Sequence, residues 1–419
     1  MPETKYLIIG AGPASSWAVR GIRHQDKEGA ITIVGREPYR TYSLPLLTKG
    51  FIQGRYPEEK IFLVKEDFYD KQGVQFISGT PAVSLNTGDK TVTLDDGRQL
   101  SYEKLLISTG ASPLIFPVPG GDLRRVYYLR TLDDAKLIKA AAGSAESAVI
   151  VGGSFIGVEL ACALREIGLS VELLMLEDYI WQTLIPEAVG QYLMDIMREH
   201  GVSIHPGQRV TEFKGSDGLA ESLVTENGGV FEGDMFGVGI GARLNIDFLK
   251  DTDIDIGKGV LVNSNLETNV PDVYAAGDVA EFDDPVLGIR HLTGHIENAQ
   301  FQGRTAGQNM AGGSAPYAQV TGYDTEVFGS MLMFVGAPDL GDEHIIRGSR
   351  DEPSGSFSIK DGRIVGALLI NPGGKDIRAV REFVQIKDVD FKRHANELSD
   401  PGTNLSELLE KIKGSEDTI

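Results

Sequence analysis

Lys5-Tyr6-Leu7-Ile8-Ile9-Gly10-Ala11-Gly12-Pro13-Ala14-Ser15 passes from an apolar run to a glycine turn within a few residues. The run at 5–9 predicts a strand, and Trp17, Val19 and Ile22 then recur at helical spacing. Residues 30–34 read as a second strand. The pattern returns at Ala148-Val149-Ile150-Val151-Gly152-Gly153-Ser154-Phe155-Ile156-Gly157. Here 148–151 is the strand, 158–167 the helix, and 171–176 a further strand ending at Glu177. Two such strand–turn–helix–strand units predict an α/β fold with two Rossmann-like dinucleotide-binding domains.

The glycines have a physical purpose. In such a turn the first glycine bends the chain from strand to helix. The second lets a pyrophosphate approach the backbone and the helix N-terminus, and a third small residue lets helix and strand pack closely. Gly10, Gly12 and Ser15 take these places in the first turn; Gly152, Ser154 and Gly157 take them in the second. A lone glycine pair is weak evidence, but the flanking strand and helix supply the confirming context. A carboxylate beyond the second strand of each unit can accept hydrogen bonds from a ribose. Glu37 and Glu177 stand there, and Glu177 would repel a 2′-phosphate, so NADH is expected over NADPH.

Outward from these units, residues 75–77, 91–94 and 104–107 read as strands, separated by turns such as Asp95-Asp96-Gly97. Pro113, Pro117, Pro119 and Gly120-Gly121 mark a boundary. A strand at 272–276 meets Gly277-Asp278, and a helix rich in small residues covers 298–310. Gly312-Gly313-Ser314-Ala315-Pro316 looks like a linker, with strands at 357–360 and 364–370 beyond it. The expected division is a first nucleotide domain at 1–112 and 244–315, a second inserted at 113–243, and a C-terminal α+β domain at 316–419.

Bulk properties narrow the partners. The chain has 419 residues, 41% hydrophobic and 24% charged, which is the balance of a folded globular protein. A formal charge of −20 disfavours nucleic acid and anionic membranes. No basic leader and no run of ~18 apolar residues is visible, so the cytoplasm is the expected location and membrane insertion is not expected. Cys162 is the sole cysteine and excludes a dithiol centre within one chain.

Two dinucleotide turns imply one nicotinamide and one flavin. At this point the chain resembles the FAD-dependent pyridine nucleotide-disulfide oxidoreductases, in the branch of ferredoxin and rubredoxin reductases and apoptosis-inducing factor. The stretches that match are residues 10–14, 42–49, Ser108-Thr109-Gly110-Ala111, Leu129-Arg130-Thr131, 152–159, 237–243, 273–279, Glu297-Asn298-Ala299, Gly303-Arg304 and 306–310. They span most of residues 1–312. The C-terminal region is similar only in outline, through Asp361-Gly362-Arg363 and Ser399-Asp400-Pro401.

The resemblance implies FAD and NADH as cofactors. It assigns Gly10, Gly12, Pro13, Ala14, Glu37, Val83, Thr109, Gly110, Arg130, Asp278, His295 and Asn298 to FAD. Asp278 matches the acid that bonds the ribitol. Gly152, Ser154, Ile156, Gly157, Glu177 and Gly241 fall to NADH. Lys49 and Glu159 match a catalytic lysine–glutamate pair beside the flavin N5, where each partner is expected to favour the other's charged form. A small electron-carrier protein such as a ferredoxin or rubredoxin is the implied acceptor. An NADH oxidase, a quinone or small-molecule reductase, and a redox-controlled interaction protein like apoptosis-inducing factor are the alternatives. A homodimer is left open.

Several positions depart from the family. Leu44 replaces an arginine that precedes Pro45, Ile296 stands where many ferredoxin reductases carry a tryptophan, and a Trp-Ser of the C-terminal module is Asp324-Thr325. The loop Ser43-Leu44-Pro45-Leu46-Leu47-Thr48 has no cysteine, which excludes disulfide and peroxide chemistry there. Cys162 and the Tyr179-Ile180-Trp181 cluster are expected to pack. His291 and His295 have the spacing of a metal pair but no third ligand cluster, so no metal is expected. His200 and His205 are expected at the surface. Gly373-Gly374-Lys375 is read as a turn.

Overall fold

The computed structural model describes residues 3–414. They form two compact units, one of residues 3–43, 58–112 and 242–319, the other of 44–57, 113–241 and 320–414.

In the first unit, strand Glu3–Ile9 is flanked by parallel strands Ile31–Val34 and Gln99–Ile107. Val74–Ile77 extends the sheet beyond Ile31–Val34, and Val273–Ala275 pairs in parallel with Gln99–Ile107. Thr91–Leu94 and Ala82–Asn86 add an antiparallel edge. The central strands become apolar toward their C-terminal ends, where both faces are covered, and Leu7, Ile8, Ile33, Leu105, Leu106 and Ile107 are fully buried. Helix Pro13–Gln25 packs on helix Ile296–Met310 with almost nothing between them. A Cβ at Gly303 would stand 2.1 Å from the Ala14 carbonyl, one at Gly307 2.2 Å from that of Ala18, and one at Gly21 2.2 Å from that of Arg304. The stretch after this helix is anchored, since Asn309 Nδ2 donates to the Ala315 carbonyl and Tyr317 is buried.

The second unit repeats the plan. Its five parallel strands run in the order Val202–His205, Ser170–Leu174, Ser147–Val151, Met235–Val238 and Val126–Tyr128. An antiparallel sheet of Val210–Ser216, Leu219–Thr225 and Val230–Glu232 adjoins it. A five-stranded antiparallel sheet from Gly322–Val327 to Arg363–Ile370 carries helices Gly374–Gln385 and Leu405–Gly414. Buried Arg347 secures the end of this region. Its guanidinium donates to the carbonyls of Leu398, Asp400, Pro401 and Thr403.

Among the boundaries that differ from the sequence expectation, two lie beside the second glycine turn. Helix Phe155–Glu166 begins directly at the turn, because Ser154 already has extended backbone angles and serves as its N-cap. Strand Ser170–Leu174 stops before Leu176, because its neighbour Val202–His205 runs out at His205 and the ladder has no partner beyond Leu174. Glu177 therefore lies in the loop three residues past the strand. Among the described residues no helix is long and apolar enough to cross a membrane.

Candidate functional site

The two glycine turns share one geometry. Gly10 and Gly152 have φ of 112° and 115°, a region that L side chains rarely adopt. Their amides donate to the Val34 carbonyl at 2.8 Å and the Leu174 carbonyl at 2.7 Å. A Cβ at Gly10 would come within 2.1 Å of the Ser108 carbonyl oxygen, and one at Gly152 within 2.2 Å of that of Gly239. Ser108 and Gly239 are the first residues past strands Gln99–Ile107 and Met235–Val238, so each turn is wedged against a neighbouring strand end. Position three differs. Ser15 turns its hydroxyl back to the Gly12 carbonyl at 2.6 Å, whereas a Cβ at Gly157 would overlap Gly152.

The middle positions differ more. No atom lies within 4 Å of where a Cβ of Gly12 would stand. Ser154 instead donates its hydroxyl to the Gly239 carbonyl at 2.6 Å. Pro13 occupies the first helical position and so leaves one fewer amide unsatisfied there. The open face at Gly12, above the N-terminus of helix Pro13–Gln25, is a cradle that fits a dinucleotide pyrophosphate.

Helix Ile296–Met310 also aims its N-terminus at this cradle. Gly277, at φ 80°, would place a Cβ 3.4 Å from that of Ala299 and 3.5 Å from that of Ala14. The Gly277 amide donates to Gln302 Oε1 at 2.8 Å, and Asp278, the next residue, lies 3.4 Å from where a Cβ of Gly294 would stand. His295 is the N-cap residue of the helix. Burial pushes its imidazole down to about 4, opposed by Asp278 and helped by His291. Asn298 is fully enclosed, donating to the Thr293 carbonyl at 2.9 Å and accepting from Tyr317 at 2.7 Å, so its amide orders the helix start.

The carboxylates occupy matching places. Glu37 lies three residues past Ile31–Val34 and accepts from Tyr42 at 2.7 Å. Glu177 is exposed over the second turn, where a Cβ on Gly153 would be 3.4 Å from its Oε2. Thr109 and Gly110 are tied to the returning chain by Asn245. Thr109 Oγ1 donates to the Asn245 carbonyl at 2.6 Å, and Asn245 Nδ2 donates to the Thr109 carbonyl at 3.0 Å. Asn245 was not singled out in the sequence, where one amide after a glycine-rich loop carries no distinctive spacing.

Lys49 and Glu159 come together in the second unit, with partners that sequence reasoning missed. Lys49 Nζ is 3.9 Å from Glu159 Oε1 but 2.9 Å from Asp324 Oδ2, and it also donates to the Asp324 carbonyl. Glu159 instead accepts from Thr48 Oγ1 at 2.6 Å and Thr325 Oγ1 at 2.8 Å. Burial pushes the Glu159 carboxyl up, against the pull of Lys49 and the two hydroxyls. Lys49 does favour the charged form of Glu159, as expected, but desolvation outweighs a cation nearly 4 Å away, so the net shift is upward. The signal for the missed partners was the departure at Asp324-Thr325 itself.

The remaining predicted residues have these places. Arg130 precedes the Thr131 N-cap of helix Leu132–Ala142, and its amide donates to Asp134 at 3.1 Å. Ile156 and Val83 are exposed apolar side chains. Gly241 has φ 121°, and a Cβ there would lie 3.3 Å from Leu114. Leu44 begins the segment that carries Lys49, and Ile296 opens its helix. Cys162 is buried, which pushes its thiol up and leaves it inert. Trp181 packs, stacking on Phe155 at 5.0 Å and meeting Phe334 edge-on at 5.7 Å. His200 is exposed and stacks on Phe328 at 4.3 Å. His205 corrects the surface expectation: it is half-buried, 2.9 Å from Glu172 on the adjacent strand. His291 Nδ1 lies 3.7 Å from Asp284. Gly373 caps helix Gly374–Gln385.

Comparison with known proteins agrees with this geometry. Residues 4–303 match the pyridine nucleotide-disulphide oxidoreductase family, and residues 325–409 match the reductase C-terminal family. Rhodocoxin reductase of Rhodococcus erythropolis is 32% identical over 92% of this chain and 92% of its own. The ferredoxin–NAD(+) reductase component of the p-cumate 2,3-dioxygenase system of Pseudomonas putida is 32% identical over 94% of this chain and 96% of its own. Putidaredoxin reductase, solved as a covalent complex with putidaredoxin, superposes with a TM-score of 0.93 at 26% identity, covering 98% of this chain and 99% of that one. With a turn fitted to a dinucleotide in each unit and no dithiol, the chain belongs to the pyridine nucleotide-disulphide oxidoreductases, as an FAD- and NADH-using member with a reductase C-terminal domain.

Proposed function

We propose that this enzyme draws reducing equivalents from NADH and passes them singly to a small iron–sulfur carrier protein of the ferredoxin type. The observation that carries this reading is the pair of equivalent glycine turns, each with a carboxylate beside it, in a chain whose sole cysteine is buried and inert. FAD, when bound, accepts hydride as a pair of electrons and can release them one at a time. Gly10, Gly12, Pro13, Ala14 and Asp278 hold its pyrophosphate and ribitol region, with Glu37 at the ribose. Val83, Thr109, Gly110, Arg130 and His295 shape the surrounding surface, and Asn298, enclosed beneath it, orders the start of helix Ile296–Met310. Gly152, Ser154, Ile156, Gly157, Glu177 and Gly241 bind NADH, and Glu177 disfavours the extra phosphate of NADPH. Lys49 and Glu159 set the charge beside the flavin.

The carrier is proposed because relatives matching nearly the whole chain are reductases of ferredoxins. The test is anaerobic reduction by NADH in a stopped-flow cell, followed by turnover with a [2Fe–2S] ferredoxin, a rubredoxin, a quinone or oxygen as acceptor. Fast flavin reduction with turnover raised at least ~100-fold by the ferredoxin is expected. Equal turnover with oxygen alone would establish an oxidase instead. A colourless protein that FAD cannot reconstitute would remove the flavin reading.

A further inference from the structure

Lys49 has two carboxylates within reach and takes the one that the sequence pattern does not predict. Its ammonium lies 2.9 Å from Asp324 Oδ2 and is also held by the Asp324 carbonyl, while Glu159 Oε1 is 3.9 Å away. Both oxygens of Glu159 are already occupied by the hydroxyls of Thr48 and Thr325. Asp324 and Thr325 are consecutive on strand Gly322–Val327, so one dipeptide holds the lysine and the glutamate at once. The Asp324 side chain is 61% exposed, whereas those of Lys49 and Glu159 are 14% and 10% exposed. Asp324 is therefore the better hydrated of the two carboxylates, and burial pushes the Glu159 carboxyl toward its neutral form.

We propose that Asp324 is a positioning residue that draws the Lys49 ammonium away from Glu159 and so makes the bound FAD a stronger reductant. This rests on the reading that Lys49 and Glu159 stand beside the flavin. A cation stabilises the electron-rich reduced form of a flavin, and a carboxylate that claims that cation removes part of the stabilisation. Asp324 thereby trades ease of reduction by NADH for a greater drive toward the acceptor.

The experiment is a redox titration of the full-length, FAD-loaded protein and of Asp324→Asn, Asp324→Glu, Lys49→Met and the Lys49→Met, Asp324→Asn double variant. FAD content and melting temperature serve as folding controls. Asp324→Asn is expected to raise the ratio of reduced to oxidised FAD at a fixed potential about tenfold, which is about 30 mV for a two-electron couple. Asp324→Glu is expected to restore most of the wild-type value. In the Lys49→Met background the Asn substitution is expected to shift the ratio by less than about threefold. A wild-type potential in Asp324→Asn together with a lowered one in Lys49→Met overturns the role of Asp324 and leaves the flavin-side pair standing. Wild-type potentials in both overturn the flavin-side reading itself. An equal Asn shift in both backgrounds shows direct action by the Asp324 charge and overturns positioning through Lys49.

Discussion

The turn at Gly10-Ala11-Gly12 and the turn at Gly152-Gly153-Ser154 begin alike and finish differently. Their first glycines agree in φ to within a few degrees, and each is wedged against the carbonyl of a neighbouring strand end. The first turn then stays open at Gly12 and meets a second helix N-terminus across Gly277. At the second turn Ser154 is tied down by its own hydroxyl, and the carboxylate above it is exposed. Two helix ends facing one cradle suit a cofactor that stays; one helix end and an exposed carboxylate suit a cofactor that comes and goes. On the proposed assignment of flavin to the first turn and nicotinamide to the second, the distinction lies in what surrounds the turns, not in the turns themselves.

The strongest test is to add one methyl group to each. Gly10→Ala should yield folded but largely colourless protein. Gly152→Ala should stay yellow while kcat/KM for NADH falls at least ~100-fold, about 2.7 kcal/mol of lost transition-state stabilisation. Absorbance spectra and steady-state rates decide it, and loss of FAD from both variants would erase the assignment of one nucleotide to each turn.

Next in size is the contrast between the carboxylates. Glu177→Gln should narrow the preference for NADH over NADPH by about 10–100-fold, since it removes the repulsion of a 2′-phosphate. Glu37→Gln should leave that preference alone and speed FAD loss by about tenfold or less, because Tyr42 still holds the side chain. Competition kinetics and FAD release rates separate the two outcomes.

A pH series sharpens the comparison further, because a histidine caps the second helix of the first unit and Ser154 caps the helix of the second turn. The folded protein holds His295 down at about 4, so between pH 6.5 and 4 the unfolded chain binds a proton that the folded chain refuses. This contribution is complete above about pH 6.5 and is lost as pH falls toward 4. It amounts to on the order of 1–2 kcal/mol once the partly exposed ring edge is allowed for. Urea melts of the apoprotein should show the wild type losing this stability and His295→Asn keeping it; parallel pH curves would place the shift elsewhere.

The smallest effects belong to the two serines. Ser15→Ala removes a buried hydrogen bond to Gly12 and should cost about 0.5–1.5 kcal/mol in denaturant melts. Ser154→Gly should change KM for NADH by no more than about threefold, since a glycine fits where the serine does. A larger change would mean that the Ser154 hydroxyl contacts the nucleotide directly.

Much of this was legible in the sequence, for a physical reason. A dinucleotide turn depends on residues close together in the chain, so Gly10, Gly152 and the flanking strands announce themselves. The end of strand Ser170–Leu174 was not legible, because it depends on where Val202–His205 stops. The partners of Lys49 and Glu159 were hidden likewise: Asp324 and Thr325 lie far along the chain and are brought in by the C-terminal sheet. The net upward shift at Glu159 needed burial to be known, and no local pattern reports burial of a single carboxylate.

The glycine seam between helices Pro13–Gln25 and Ile296–Met310 also bears on the order in which the protein is made. The first helix has no substitute for its partner, since Ala14 and Ala18 meet glycine backbone and nothing bulkier. Roughly 270 residues separate the two helices. At a synthesis rate of about 5–20 residues per second, the apolar face of the earlier helix waits on the order of 15–60 s for its match. During that interval the nascent first unit offers an uncovered hydrophobic stripe to chaperones, while the second unit's parallel sheet is already fully synthesised. On the proposed assignment, the cradle for FAD is complete only once helix Ile296–Met310 has emerged.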